Sequence, residues 1–427
     1  MRRFLFTFWP FPGHLHPNIA IAHALKERGN EVAFYTGTQA KEKIEGEGFA
    51  FFPFRQVDER HIDSLVFSQD RVPSLIRKPF RMIDLYRAWL LDTVPDQVTD
   101  LERIIGERPP DVLVCDPTFW GPFLILREKV RFPVAISSFI PGCMIPGPDA
   151  PPWGFGLPRP RGVMTRLAAR AVEAASEAIL TGFRRDVNRM RGRYGLSPLP
   201  GSVNALTGRV PLHLIPSVPE LDYERTDLPS CVRYVGPCVW NRGRNERPPA
   251  WLDRIPRDRP WVHVTEGTMH AQAPFVLQAA GRGLANLPMQ VIMTTGKDRD
   301  PSKLDLGPRA PNIRVERWVP HSDLLPLTDV LVTTGGASTV LAGLATGVPM
   351  VIVPTQWDKP DNAQRVVEAG AGLRLSPRRC TPARLRAAVE RVLAEPSFRT
   401  NAQRMASVFS GYGGARMAAE LLEGLCI

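Results

Sequence analysis

Lysine is scarce in this chain, and long apolar runs are missing. Eight of its 54 basic residues are lysine and the rest are arginine. No compact Lys/Arg tract interleaves with aromatics, so a nucleic-acid-binding surface is not expected despite a formal net charge of +11. The arginine bias, together with 43 prolines, reads as base composition of the source genome as much as function. No stretch reaches the roughly 18 apolar residues of a membrane-spanning helix. The six cysteines, at 115, 143, 231, 238, 380 and 426, include no Cys-x-x-Cys pair. Reduced structural thiols are expected, and zinc is not. No Gly-x-Gly-x-x-Gly follows the first β-rich run, which disfavours a Rossmann dehydrogenase. Met1–Trp9 has the look of a short signal peptide, but Pro10, Pro12 and His14 interrupt it too early. A first strand fits better, and a cytoplasmic protein is expected.

What is present is an ordinary globular composition, 44% hydrophobic and 23% charged over 427 residues. That length accommodates a large core and two domains. Apolar runs at 4–9, 31–36, 49–54, 112–115 and 134–139 alternate with helical segments, among them 19–28 and 40–47. The rhythm restarts at 261–265, 291–294, 313–315, 330–333 and 350–353. Such alternation predicts an α/β protein with two parallel, doubly wound sheets. The expected boundaries are a first domain over 1–220, a linker over 221–249 through a Pro-rich polar segment, a second domain over 250–404 and a C-terminal helix over 405–427. Two segments break the rhythm: amphipathic 74–105, with Pro95 expected to kink it, and Pro/Gly/aromatic-rich 142–160, which leads into an Ala/Arg-rich helix over 164–194.

The stretch Arg317–Ala363 carries the most chemistry. A strand that breaks at Gly335-Gly336 and restarts as a helix led by Ser338 and Thr339 is built to hold phosphate. The glycines let backbone approach, and the open N–H groups of the first helical turn meet the anion. Trp318 upstream and Asp358 downstream suit a base on one side and a sugar on the other, so the stretch reads as a nucleotide-sugar site. Trp318 equally fits a core aromatic at a strand end, and Asp358 a helix N-cap. In the first half, His14 follows the first strand in a Pro-Gly-His turn, and Asp116 follows the buried run Val112–Cys115. Histidine titrates near neutrality and suits general-base work, and a carboxylate orients it. A turn-capping His14 and a helix-starting Asp116 are the plainer reading. His16 is a second candidate, and no His pair has carboxylates at metal-ligand spacing.

Taken together these residues resemble the family 1 glycosyltransferases, which share the GT-B fold of two facing Rossmann-like domains with a cleft between them. The match runs through Gly13-His14-Leu15-His16-Pro17, Gly29-Asn30-Glu31-Val32 and Val262–Thr268. It continues through Trp318-Val319-Pro320, Thr334-Gly335-Gly336 to Gly347-Val348-Pro349, Asp358, Asn362-Ala363 and Pro396–Ala402. The resemblance implies an inverting, metal-independent enzyme with no cofactor beyond a nucleotide diphosphate sugar as co-substrate. By the same resemblance His14 and Asp116 are the catalytic pair. Trp318 and Val319 hold the base, and Gly267, Thr268, Thr334, Gly335, Gly336, Ser338 and Thr339 hold the diphosphate. Asp358 and Lys359 face the donor. Trp89, Phe139, Trp153 and Phe155 are expected to line the site of a small lipophilic natural-product acceptor, as in antibiotic biosynthesis. The C-terminal helix is expected to pack back on the first domain, and a homodimer is compatible with the pattern.

Three positions depart from the family. Thr334 stands where a histidine commonly precedes the glycine pair, offering a neutral hydroxyl in place of an imidazole. Ala342 stands where a glutamate often bonds the ribose hydroxyls, which favours a dTDP-sugar over a UDP-sugar. Lys359 replaces the glutamine of an Asp-Gln pair, and its cation suits a phosphate, an acidic sugar or solvent. An auxiliary GT-B protein that binds nucleotide or activates a partner is the alternative reading, and a GT-B epimerase a minor one.

Overall fold

The computed structural model describes residues 1–67, 79–223, 225–240, 249–268, 273–296, 299–307 and 309–426. The chain divides into two compact units: 1–155 with 159–239 and 412–427, and 156–158 with 240–411.

The first unit is built on seven strands: β1 Arg3–Thr7, β2 Glu31–Thr36, β3 Ala50–Pro53, β4 Val112–Cys115, β5 Val134–Ser137, β6 His213–Ile215 and β7 Val232–Tyr234. All pair in parallel, in the order β3-β2-β1-β4-β5-β6-β7. Phe4, Leu5 and Phe6 of β1 and all of β4 are buried, as expected for central parallel strands covered on both faces. Strand order reverses between β1 and β4, and ligands of such sheets sit beyond the carboxyl ends of the strands at that reversal. The second unit repeats the plan with β8 Trp261–Thr265, β9 Gln290–Thr294, β10 Ile313–Glu316, β11 Val330–Thr333, β12 Met350–Ile352 and β13 Gly372–Arg374. Its order is β10-β9-β8-β11-β12-β13, again parallel, with the reversal between β8 and β11. Its core joins Val262, Val264, Val330, Val332 and Val351 of the sheet to Leu277 and Ala280 of helix Phe275–Gly283.

The fold differs from the sequence reading at three places. The first helix is Pro12–Glu27, so it begins at the proline and not at Ile19. Pro12 occupies the first helical turn, where its fixed φ is preorganised and its missing N–H costs nothing. His14 therefore sits on a helix and not in a turn. Pro95 likewise starts a helix, Val94–Glu107, and does not kink one. A π-helical stretch, Arg87–Leu91, precedes it, and the part of the amphipathic segment from 74 to 78 lies outside the described residues. The stretch from 221, read as linker, instead carries β7 as the edge strand of the first sheet. Val235 N–H donates to Ile215 at 3.0 Å and Gly236 N–H to Ser217 at 2.8 Å, so this unit runs on to Val239.

Helix Ala415–Glu423 belongs to the first unit and lies on helix Pro12–Glu27. Arg28 Nε bonds Glu423 at 2.7 Å, an exposed pair worth about 0–1 kcal/mol. Ala418, Ala419 and Leu422 of helix Ala415–Glu423 are buried. Residues 156–158 group with the second unit. There Gly156 N–H donates to Asp361 at 2.5 Å and the Gly156 carbonyl accepts from Arg374 Nη1 at 2.6 Å.

Candidate active site

In the first unit the chemistry gathers where strand order reverses. His14 follows β1 in the first turn of its helix, and Asp116 directly follows β4. The two strands are neighbours, so the side chains meet: His14 Nδ1 lies 2.9 Å from Asp116 Oδ2. Asp116 is fully buried, and its other oxygen accepts from the Thr118 N–H at 2.7 Å and the Thr118 hydroxyl at 2.5 Å. A buried carboxylate held this way accepts and does not donate, so Nδ1 carries the proton and Nε2 is the basic nitrogen. Phe139, half-buried after β5, stacks on the imidazole with centroids 3.7 Å apart, and Phe11 meets it edge-on at 5.5 Å. The ring is thus fixed in plane and tautomer. His16 turns elsewhere, with Nε2 3.2 Å from Lys43 Nζ.

The four aromatics expected to line the acceptor do not behave alike. Phe139, Trp153 and Phe155 are half-buried. Trp89 is 5% exposed and packs among core aromatics, 5.8 Å from Trp9 and 6.0 Å from Phe11. It backs the His14 neighbourhood through Phe11.

In the second unit, loops from β8, β11 and β12 converge at the other reversal. After β11, Gly335 adopts φ +88. A β-carbon there would lie 2.8 Å from Ile352 Cγ2 and 3.3 Å from the Lys359 carbonyl, so the turn needs glycine on both counts. Gly336 caps helix Ala337–Ala345 without a side-chain bond, leaving first-turn N–H groups to a ligand. Nothing would crowd a β-carbon on Gly336. Ser338 is exposed and Thr339 8% exposed. Gly267, at φ +73, and exposed Thr268 follow β8. Thr334 is buried, and its hydroxyl donates to the Glu266 carbonyl at 2.9 Å. That bond directs the Thr334 hydroxyl into the protein, toward the β8 loop. Trp318 is 41% exposed and so is not the core aromatic of the plainer reading. Val319 anchors it by packing inward with Leu252, Trp261, Ile292 and Leu324.

Asp358 holds the N-cap position of helix Lys359–Glu368 but makes no capping bond. Its Oδ2 accepts from Asn362 Nδ2 at 2.6 Å, and the same amide donates to the Gly335 carbonyl at 2.9 Å. Asn362 thereby ties the glycine turn to the carboxylate. Lys359 is 4% exposed, which removes solvent from the roles open to it. Sequence reasoning missed three contributors. Glu266 accepts from the Val276 N–H at 2.8 Å and from Arg299 Nη1 at 2.5 Å, pinning the β8 loop to the start of the next helix. Trp357 sits at φ +59, a strained conformation for a bulky residue, immediately before Asp358. Asn362 had a legible signal, since four-residue spacing from Asp358 puts the two on one helical face.

Residues 282–411 match the family model for the C-terminal domain of proteins like erythromycin biosynthesis protein CIII. The 4'-demethylrebeccamycin synthase of Lentzea aerocolonigenes is 34% identical over 428 residues, covering 99% of this chain and 99% of that protein. The chain belongs to the family 1 glycosyltransferases. A second member, the demethyllactenocin mycarosyltransferase of Streptomyces fradiae, is 28% identical over 100% of this chain and 87% of its own length. The GT-B fold of this glycosyltransferase is shared with a solved spinosyn rhamnosyltransferase in complex with thymidine diphosphate. That structure superposes with a TM-score of 0.71 at 18% identity, over 99% of this chain and 100% of that one.

Proposed function

We propose that this glycosyltransferase moves a sugar, with inversion, from a dTDP-sugar to a small lipophilic natural-product acceptor, with His14 as general base. The observation that carries the reading is the buried His14–Asp116 pair at 2.9 Å, which leaves Nε2 as the basic nitrogen. In the reaction Nε2 takes the proton of the acceptor nucleophile as it attacks the anomeric carbon. The bond from that carbon to the diphosphate oxygen breaks on the opposite face, which inverts the configuration. Asp116 stabilises the imidazolium that forms. The departing diphosphate carries its charge into the turn at Gly335-Gly336 and the helix start beyond it, with Ser338, Thr339, Gly267 and Thr268 as further donors. Trp318, half out in solvent, offers its indole face to the base beside Val319. Asp358, oriented by Asn362, accepts from donor-sugar hydroxyls. Phe139, Trp153 and Phe155 supply apolar surface for the acceptor, with Trp89 supporting from behind. The reading calls on no metal and no organic cofactor, and it places the reaction in the cytoplasm.

The dTDP preference rests on Ala342, which has no carboxylate for a ribose 2'-hydroxyl, and is consistent with the thymidine diphosphate held by the spinosyn enzyme. The acceptor class follows the relatives, which are named for demethylrebeccamycin and demethyllactenocin. One experiment tests base and donor together: turnover and calorimetric nucleotide binding for the wild type and His14→Ala. The variant is expected to lose transfer by at least about a hundredfold while binding dTDP within a few-fold of wild type, and dTDP to bind more tightly than UDP. Retained turnover removes His14 as the base, and a preference for UDP overturns the donor assignment.

A further inference from the structure

A diphosphate in the second unit's glycine turn brings several negative charges into a loop cluster that is largely buried. Two side chains of that cluster are engaged within the protein. Thr334 gives its proton to Glu266, as described, and Arg299 is held on the Glu266 carboxylate at 2.5 Å. Lys359 is placed differently. It opens helix Lys359–Glu368, so its backbone stands at the positive end of that helix dipole. A β-carbon on Gly335 would lie 3.6 Å from Lys359 Cβ, which puts the lysine against the turn itself. Its Nζ donates to the Thr355 hydroxyl at 3.1 Å, which keeps the ammonium among the β8, β11 and β12 loops.

We propose that Lys359 is the cation that neutralises the donor's diphosphate, and that it gains a proton as the anion binds. This rests on the donor reading above and deepens it, choosing phosphate over the acidic sugar as the partner of this side chain. A further observation supports it. Burial lowers the Lys359 pKa to about 8, with Asp358 and Glu266 as the opposing charges that raise it. Asp358 stands at the N-terminal end of the lysine's own helix, Glu266 belongs to the β8 loop with Arg299 on its Oε2, and Asp361 and Arg365 lie farther along the same helix. In the nucleotide-free protein the lysine is therefore partly neutral in mildly alkaline solution. A diphosphate favours the charged form, so binding draws a proton from solvent.

The test is calorimetry of thymidine diphosphate and of thymidine at pH 8.5, in two buffers of different ionisation enthalpy, on wild type, Lys359→Gln and Lys359→Arg. Wild type is expected to take up protons with thymidine diphosphate and not with thymidine. Lys359→Gln should bind the diphosphate about tenfold or more weaker and thymidine unchanged. Lys359→Arg, permanently charged, should retain most of the affinity without proton uptake. Circular dichroism confirms that each variant is folded. Undiminished diphosphate binding by a folded Lys359→Gln overturns the inference, as does an equal loss for thymidine or unchanged proton uptake in Lys359→Arg. If wild type binds neither thymidine diphosphate nor uridine diphosphate, the donor reading itself falls and this inference with it.

Discussion

Replacing Asp116 with asparagine probes the catalytic reading more sharply than deleting His14, because it changes the charge and tautomer of the pair while keeping its shape. In the wild type Asp116 Oδ2 faces His14 Nδ1 at 2.9 Å and Oδ1 holds both donors of Thr118, at 2.7 and 2.5 Å. The Thr118 donors require an oxygen, so the asparagine amide nitrogen is forced to the His14 side. An N–H there cannot accept from Nδ1. The imidazole must present Nδ1 as acceptor and carry its proton on Nε2, the nitrogen proposed to receive the acceptor's proton. The base is thereby occupied before the reaction starts, and the charge that stabilised the imidazolium is gone. General-base catalysis contributes on the order of 10² to 10⁴ in rate, so turnover should fall by that factor, a barrier increase of about 3–5 kcal/mol. Two of the three hydrogen bonds survive unchanged and the third is kept in reversed direction, so the folding cost should be only about 1–2 kcal/mol. The assay is single-turnover transfer under saturating donor, alongside nucleotide binding by calorimetry and ¹⁵N NMR of the His14 ring. Turnover within threefold of wild type, or a ring that still carries its proton on Nδ1, would refute the reasoning.

Two further outcomes concern the scaffold. Gly335→Ala should destabilise the second unit by about 2–4 kcal/mol, combining the positive-φ penalty with the 2.8 Å approach to Ile352 Cγ2; chemical denaturation measures it, and a loss under 1 kcal/mol would show that the turn yields. His213, fully buried in β6, has its pKa lowered by burial from 6.5 to about 4. The unfolded chain binds this proton first, so the contribution to stability is complete above pH 6.5 and is lost as pH falls toward 4. The loss is about 3 kcal/mol, visible as a flattened pH dependence of unfolding in His213→Gln, and an identical pH profile in that variant contradicts it.

Most strands and the two parallel sheets were legible because central parallel strands are continuous apolar runs, and Val112–Cys115, Trp261–Thr265 and Val330–Thr333 match the structure residue for residue. Prolines misled. Pro12 and Pro95 start helices because a first-turn proline sacrifices no hydrogen bond, and chain position alone does not separate a starter from a breaker. The edge strand Val232–Tyr234 hid in a short stretch without alternation, and its hydrogen bonds to residues 213–217 are what make it a strand.

Local order along the chain was enough to determine the kinds of groups present: a glycine turn before a helix, an aromatic upstream, a carboxylate downstream, a histidine after the first strand. These are short-range patterns, and backbone sterics and helix-end chemistry read them directly. Which groups act on one another was decided by tertiary structure. His14 and Asp116 lie 102 residues apart and meet because β1 and β4 are neighbours at the strand reversal. The sequence offered Thr334 as a hydroxyl beside the glycine pair, and folding brought the Glu266 carbonyl to it. Lys359 looked free to face solvent until the β8, β11 and β12 loops closed around it. Burial and pairing are sums over distant neighbours, and only the folded chain performs that sum.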